Sequence, residues 1–171
     1  MRVLISAKEL QAKIDDLASA IASDYAGTHP VLICVLKGAV FFLADLTRRL
    51  PFDLEIEFMA VSSYGQSSES SGIVRILKDL DTDIEGRHVL IVEDIIDSGL
   101  TLQYLTKSLR TRNPASLAIA TLLSKPGRRT AELDCRYTGF EIPNEFVVGY
   151  GLDFAEKYRN LPYVGVIDGL R

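Results

Sequence analysis

The stretch Val89-Leu90-Ile91-Val92-Glu93-Asp94-Ile95-Ile96-Asp97-Ser98-Gly99-Leu100-Thr101 decides the fold. With His88 in front of it, the opening run is uninterrupted hydrophobe rich in β-branched residues. That is the pattern of a strand covered on both faces, as the strands of parallel sheets are. From Glu93 to Gly99 the chain turns polar and reads as a loop, and a helix follows from Thr101 to Arg112, where Asn113-Pro114 ends it. A fully apolar strand that hands over to a helix is one half of a β-α-β unit.

The neighbouring segments repeat the alternation. Val31 to Leu36 is a second buried strand, broken by Lys37-Gly38 and followed by a helix to about Leu50, before Pro51. Ala118 to Leu123 is a third, meeting the loop Ser124-Lys125-Pro126-Gly127. Upstream, Ser6-Ala7-Lys8-Glu9 reads as a capping box, and Leu10, Ile14, Leu17, Ala18 and Ile21 recur at helical spacing, so an amphipathic helix is predicted from Ala7 to Tyr25. Phe52 to Ser62 alternates, with Phe52, Leu54, Ile56, Phe58 and Ala60 as the apolar face and Asp53, Glu55, Glu57 and Met59 as the solvated one. The serine-rich stretch from Ser62 to Gly72 reads as a long mobile loop, Ile73 to Leu77 as a short strand and Leu80 to Arg87 as a polar turn. Strand-like pieces follow at Tyr137 to Ile142, Phe146 to Gly149 and Val164 to Ile167. The pattern predicts an α/β fold with a mainly parallel twisted sheet, flanking helices and right-handed crossovers, in a single domain spanning 1–171.

Composition narrows the functional classes. The 171 residues are 47% hydrophobic and 25% charged, with a net charge of -4. The pI is about 5.2, so the chain as a whole offers no electrostatic footprint for nucleic acid or anionic lipid. Cys34 and Cys135 are far apart, and with only His29 and His88 in addition there is little from which to build a zinc site. Cys34 lies inside an apolar run and reads as a small buried hydrophobe. Met1 to Ser6 shows no signal-peptide pattern, and no apolar run approaches the ~18 residues of a membrane span. The expectation is a soluble, cytoplasmic protein.

Three strand ends carry the chemistry: Lys37-Gly38, Glu93 to Thr101, and Ser124-Lys125. Ligands of open parallel sheets bind outside the carboxyl ends of the strands, so these residues converge on one site. Asp97-Ser98-Gly99-Leu100-Thr101 opens a helix, where free N–H groups and the helix dipole favour a phosphate, Gly99 admits a close approach and Ser98 and Thr101 add hydroxyls. Asp and Ser also make ordinary helix caps. Glu93, Asp94 and Asp97, however, crowd three like charges against a hydrophobic strand, which calls for a cationic or hydroxyl-rich ligand. The stretch matches neither a nucleotide P-loop nor a dinucleotide fingerprint.

Val92 to Thr101 resembles the phosphoribosyl-pyrophosphate motif of type I phosphoribosyltransferases, in its hypoxanthine-guanine form. The resemblance covers most of the chain in order: Leu36-Lys37-Gly38-Ala39, Ser62-Ser63-Tyr64-Gly65, the central motif, Ser124-Lys125-Pro126, Phe146 to Asp153, and Arg159-Asn160-Leu161-Pro162. It implies the type I phosphoribosyltransferase fold, with a small hood formed by the terminal segments. The activity it implies is transfer of ribose 5-phosphate from phosphoribosyl pyrophosphate to hypoxanthine or guanine, with Mg2+, in a homodimer or homotetramer.

By the same resemblance, Glu93 and Asp94 would hold the ribose hydroxyls, and Asp97 would take the proton at purine N7. Ser98, Gly99, Leu100 and Thr101 would bind the 5-phosphate. Lys37 and Gly38, after a cis peptide, would meet the pyrophosphate together with Arg159. Magnesium would ride on the substrate's oxygens, with Asp153 as its carboxylate and Glu93 and Asp94 in the same metal region. Lys125 would donate to the 6-oxo group, Ile95 and Phe146 would pack on the ring, and Val147 would read its edge through the backbone. Ser63 and Tyr64 would head a lid. Adenine and orotate enzymes place a non-acidic residue at the Asp97 position, so the acid argues for a 6-oxopurine. Two alternatives remain: a xanthine-preferring transferase, and an RNA-binding pyrimidine-operon regulator on the same fold, which the acidic pI disfavours.

Overall fold

The computed structural model describes residues 1–63 and 74–170. The elements run β1 (Arg2–Ile5), α1 (Ala7–Asp24), β2 (Val31–Val35), α2 (Val40–Thr47), β3 (Glu55–Ser63), β4 (Val74–Lys78), β5 (His88–Ile96), α3 (Leu100–Arg110), β6 (Ser116–Ser124), a 3-10 turn (Pro126–Arg128), β7 (Tyr137–Glu141), β8 (Val147–Val148) and β9 (Val164–Val166). The main sheet has the order β4-β3-β2-β5-β6-β7. Every neighbour pair in it is parallel except β3 with β4.

The central strands read as unbroken hydrophobe because both of their faces are covered. Leu32, Cys34, Leu90 and Val92 pack with Leu10, Ile14 and Ile21 of α1 and Phe42 and Leu46 of α2. Their alternating neighbours Val31, Ile33, Val89 and Ile91 pack with Leu102, Leu105 and Leu109 of α3 on the other side. The predicted capping box of α1 forms: the Ser6 N–H donates to Glu9 Oε2 at 2.8 Å, and the Glu9 N–H donates to Ser6 Oγ at 3.2 Å.

The structure adds one strand to the expected set and corrects the faces of another. β1 carries no sequence signal of its own and forms because it pairs antiparallel with β9, which in turn pairs with β8, giving a separate three-stranded hood. In β3 the faces are not the ones the alternation suggests: Met59 is fully buried, Glu57 is buried, and Ile56 is 44% exposed. Met59 faces the α3-side core, while Thr82 Oγ1 and the Asp81 N–H donate to the Glu57 carboxylate and satisfy it inside. The Glu57–Met59 face of β3 is thus turned inward beneath Asp81 and Thr82, and Ile56 lies on the opposite face. Among the described residues, no helix is long and apolar enough to cross a membrane.

Candidate active site

The ends of β2, β5 and β6 meet the loop that follows β8. At the end of β2 the Leu36–Lys37 peptide is cis, as expected. Gly38 is buried behind it, against Asp94 and Gly151. Lys37 points outward, and its Nζ lies 3.2 Å from Glu156 Oε2.

The loop predicted from Glu93 is instead a continuation of β5 to Ile96, because Glu93, Ile95 and Ile96 stay in parallel register with Thr121, Leu123 and Ser124 of β6. Strand alternation then separates the two carboxylates. Glu93 is buried and lines a small cavity of about 150 Å³ together with Ile95, Ser98, Gly99 and Thr101. Asp94 faces Gly38 instead. Burial and the neighbouring Asp94 charge push the Glu93 carboxyl well above its usual range. Burial raises Asp94 to about 6, against the opposing pull of the Ile95 N–H and the Arg159 guanidinium.

Arg159 organises the far side. Its Nη1 donates to the Gly151 carbonyl at 2.7 Å, and its Nη2 lies 3.2 Å from both Asp153 Oδ1 and Glu156 Oε1. Its buried Nε has no hydrogen-bond partner among the described residues. Glu156 therefore pairs with both Lys37 and Arg159, the two cations expected to meet a polyanion.

Asp97 is not a helix cap. Gly99 stands at the N-terminus of α3 with no side-chain cap, and Ser98 Oγ accepts the Leu100 N–H at 3.4 Å. The Asp97 carboxylate is held instead by the turn after β6: Arg128 Nε donates to Oδ1 at 3.0 Å, and Lys125 Nζ lies 3.6 Å from Oδ2. Lys125 itself is 7% exposed, with its backbone N–H bonded to the Ile96 carbonyl at 2.9 Å. Asp97, Lys125, Arg128 and Phe146 line an open cavity of about 1210 Å³ whose other wall includes Arg2, Glu145 and Asp168 of the hood region. Phe146 is 37% exposed there and meets Phe154 edge to face at 5.8 Å. Val147 is buried in β8.

The structure thus brings the expected residues together in three groups: Asp97, Lys125 and Phe146; Glu93 with Ser98, Gly99 and Thr101; and Lys37, Gly38, Asp94, Asp153 and Arg159. Ser63 closes β3, while Tyr64 and the expected lid, 65–72, lie outside the described residues. Two neighbours were missed. Arg128 had a signal, since Lys125-Pro126-Gly127-Arg128 is a tight turn whose first and last residues share a side. Glu156 had none, because it reaches the site through a loop in which Ala155, Glu156 and Tyr158 adopt positive φ.

A model of the phosphoribosyl transferase domain matches residues 6–155. The hypoxanthine-guanine phosphoribosyltransferase of Mycobacterium avium is 56% identical over 97% of this chain and 85% of its own length. The chain belongs to the hypoxanthine-guanine phosphoribosyltransferase family. The Bacillus subtilis member is 55% identical, over 97% of this chain and 92% of its own. A crystal structure of a Bacillus anthracis hypoxanthine-guanine phosphoribosyltransferase with a HEPES molecule in its active site superposes with a TM-score of 0.94 at 48% identity, covering 98% of both chains. The mainly parallel sheet and its flanking helices are thus the fold of these phosphoribosyltransferases.

Proposed function

We propose that this chain transfers the 5-phosphoribosyl group of phosphoribosyl pyrophosphate to N9 of hypoxanthine or guanine, giving IMP or GMP and pyrophosphate. The observation that carries this reading is the pairing of Asp97 with Lys125 in one cavity beside Phe146. A 6-oxopurine presents a carbonyl acceptor at position 6 next to an N7–H donor. A lysine and a carboxylate side by side match that edge, whereas adenine would set its exocyclic amine against Lys125.

In this reading N9 attacks C1′ as the bond from C1′ to the pyrophosphate oxygen breaks. The proton at N7 passes to Asp97, and Lys125 holds the 6-oxo group while Ile95 and Phe146 contact the ring. Val147 meets the base edge through its backbone. Ser98, Gly99, Leu100 and Thr101 take the 5-phosphate at the start of α3, where the dipole and free N–H groups favour an anion. Glu93 and Asp94, from the two sides of the β5 end, would hold the ribose hydroxyls, next to the positive charge that develops at C1′. Lys37, Gly38 and Arg159 receive the departing pyrophosphate, and Ser63 and Tyr64 head the segment that shields it from water.

The carboxylates suit Mg2+. Asp94 and Asp153 share the Arg159 side of the site, and burial raises the Asp94 and Glu93 carboxyls, so a bound cation would favour their ionised forms. The ion would be carried largely by substrate oxygens, with Asp153 as the protein's carboxylate. Bound there, Mg2+ would offset charge on the leaving pyrophosphate. We place the protein in the cytoplasm as one domain over 1–171, in a homodimer or homotetramer; the exposed Val40 and Phe41 beside Lys37 give such an assembly apolar surface to cover.

The deciding experiment is a panel of hypoxanthine, guanine, xanthine and adenine with phosphoribosyl pyrophosphate and Mg2+, followed by pyrophosphate release. Turnover with hypoxanthine and guanine is expected. Preference for xanthine, or no turnover with any base, would overturn the reading.

A further inference from the structure

The structure assigns to Arg128 a positioning role: it holds the Asp97 carboxylate away from Lys125, so that the two groups stay open to the purine edge instead of neutralising each other. The geometry carries this. A lysine and a carboxylate free to meet close to about 2.7–2.9 Å. Here Lys125 Nζ stops 3.6 Å from Asp97 Oδ2, while Arg128 Nε donates to the other oxygen, Oδ1, at 3.0 Å.

Each partner has a reason to stay where it is. Lys125 is confined, with a side chain 9% exposed and its backbone N–H tied to Ile96. Arg128 is set by the turn Pro126–Arg128, whose backbone bonds back to Lys125 at 3.0 Å. Asp97 is the adjustable member, with its side chain 44% exposed. Without Arg128, the nearest cation left to Asp97 among these contacts is Lys125. The pair would close across the slot that the base edge enters, and each binding event would first have to separate it. With Arg128 on Oδ1, Oδ2 remains for N7–H and Lys125 remains for the 6-oxo group. The Arg128–Asp97 pair is half exposed, so its contribution is orientation more than stability.

This rests on the roles given to Asp97 and Lys125 above. Wild-type turnover of hypoxanthine tests those roles separately, and the variants below are read only against an active wild type.

The test is a double-mutant cycle of Arg128→Gln with Asp97→Asn, with Arg128→Lys as the conservative variant, read by steady-state and single-turnover kinetics. Arg128→Gln is expected to lower kcat/KM for hypoxanthine about fivefold, chiefly through KM, with KM for phosphoribosyl pyrophosphate unchanged. Arg128→Lys should recover most of the loss. In the Asp97→Asn background, where no carboxylate is left to close on Lys125, Arg128→Gln should cost nothing further. A purely structural role would give equal losses in both backgrounds and move both KM values together. Additive losses, an unchanged KM for hypoxanthine in Arg128→Gln, or a phosphoribosyl pyrophosphate KM that rises in step would each overturn the assignment.

Discussion

Gly38 and Gly151 meet backbone to backbone at the floor of the site. A Cβ on Gly151 would lie 2.0 Å from the Gly38 carbonyl oxygen, and a Cβ on Gly38 would lie 1.8 Å from Asp94 Oδ2 and 3.3 Å from the Gly151 oxygen. Gly151 also has φ +100, which L side chains rarely adopt. The two glycines let the end of β2 and the loop after β8 close on each other while Asp94 packs against Gly38.

Gly38→Ala is therefore expected to displace Asp94 and the backbone next to Lys37. Transfer should fall by at least ~10²-fold, with a cost of about 1–3 kcal/mol in stability from overpacking. Gly151→Ala should behave likewise. Kinetics beside thermal melts check this; an Ala variant with wild-type turnover would show that the close approach is dispensable.

Asp94→Asn should separate stability from activity. Burial raises the Asp94 carboxyl from its ordinary 3.8 to about 6, so the folded state binds this proton more tightly than the unfolded one. Its contribution is full below pH about 4 and is lost as pH rises through about 6, where a charge must be kept inside. The ligand-free Asn variant should then be more stable than wild type at pH 7.5, by on the order of 1 kcal/mol, with the difference vanishing below pH 4. Transfer should fall at least ~10²-fold. Melting curves across this pH range decide it, and a variant less stable than wild type at pH 7.5 would contradict the sign.

Asp97→Asn keeps the size of the side chain and leaves the start of α3 intact, since Asp97 caps nothing there. Single-turnover transfer should drop by at least ~10²-fold, with little change in phosphoribosyl pyrophosphate affinity. Chemistry within about threefold of wild type would mean that the N7 proton leaves by another route.

Lys125→Met should raise KM for hypoxanthine while sparing phosphoribosyl pyrophosphate, because losing the partner of a polar group costs about 1–3 kcal/mol. An unchanged base KM would place the reader of position 6 elsewhere.

Glu156→Gln removes the carboxylate that pairs with both Lys37 and Arg159. Pyrophosphate would then meet these cations without displacing an internal anion, and its inhibition constant should fall about two- to fivefold. Titration of product inhibition measures this; a rise would mean that Glu156 preorganises the site.

The sequence by itself determined the features that are written locally. The apolar runs of β2, β5 and β6, the capping box of α1 and the polar strand ends each follow from neighbouring residues, through periodicity, capping and the rule that parallel sheets bind ligands at their carboxyl ends. The residues around Asp97 also carried a resemblance specific enough to point to the family. What tertiary structure decided is everything that needs a distant partner. β1 is a strand only because β9 lies beside it, and Met59 rather than Ile56 is buried because that face of β3 turns to the core shared with Ile84 and the α3 leucines. β5 runs on through Glu93 because β6 continues its ladder, and this sets Glu93 and Asp94 on opposite sides. Likewise, pairing of Asp97 with Arg128, and of Glu156 with Lys37, arises where separate loops meet over the sheet. Periodicity and caps act over a few residues, whereas pairing, burial and charge balance depend on contacts that exist only once the chain has closed on itself.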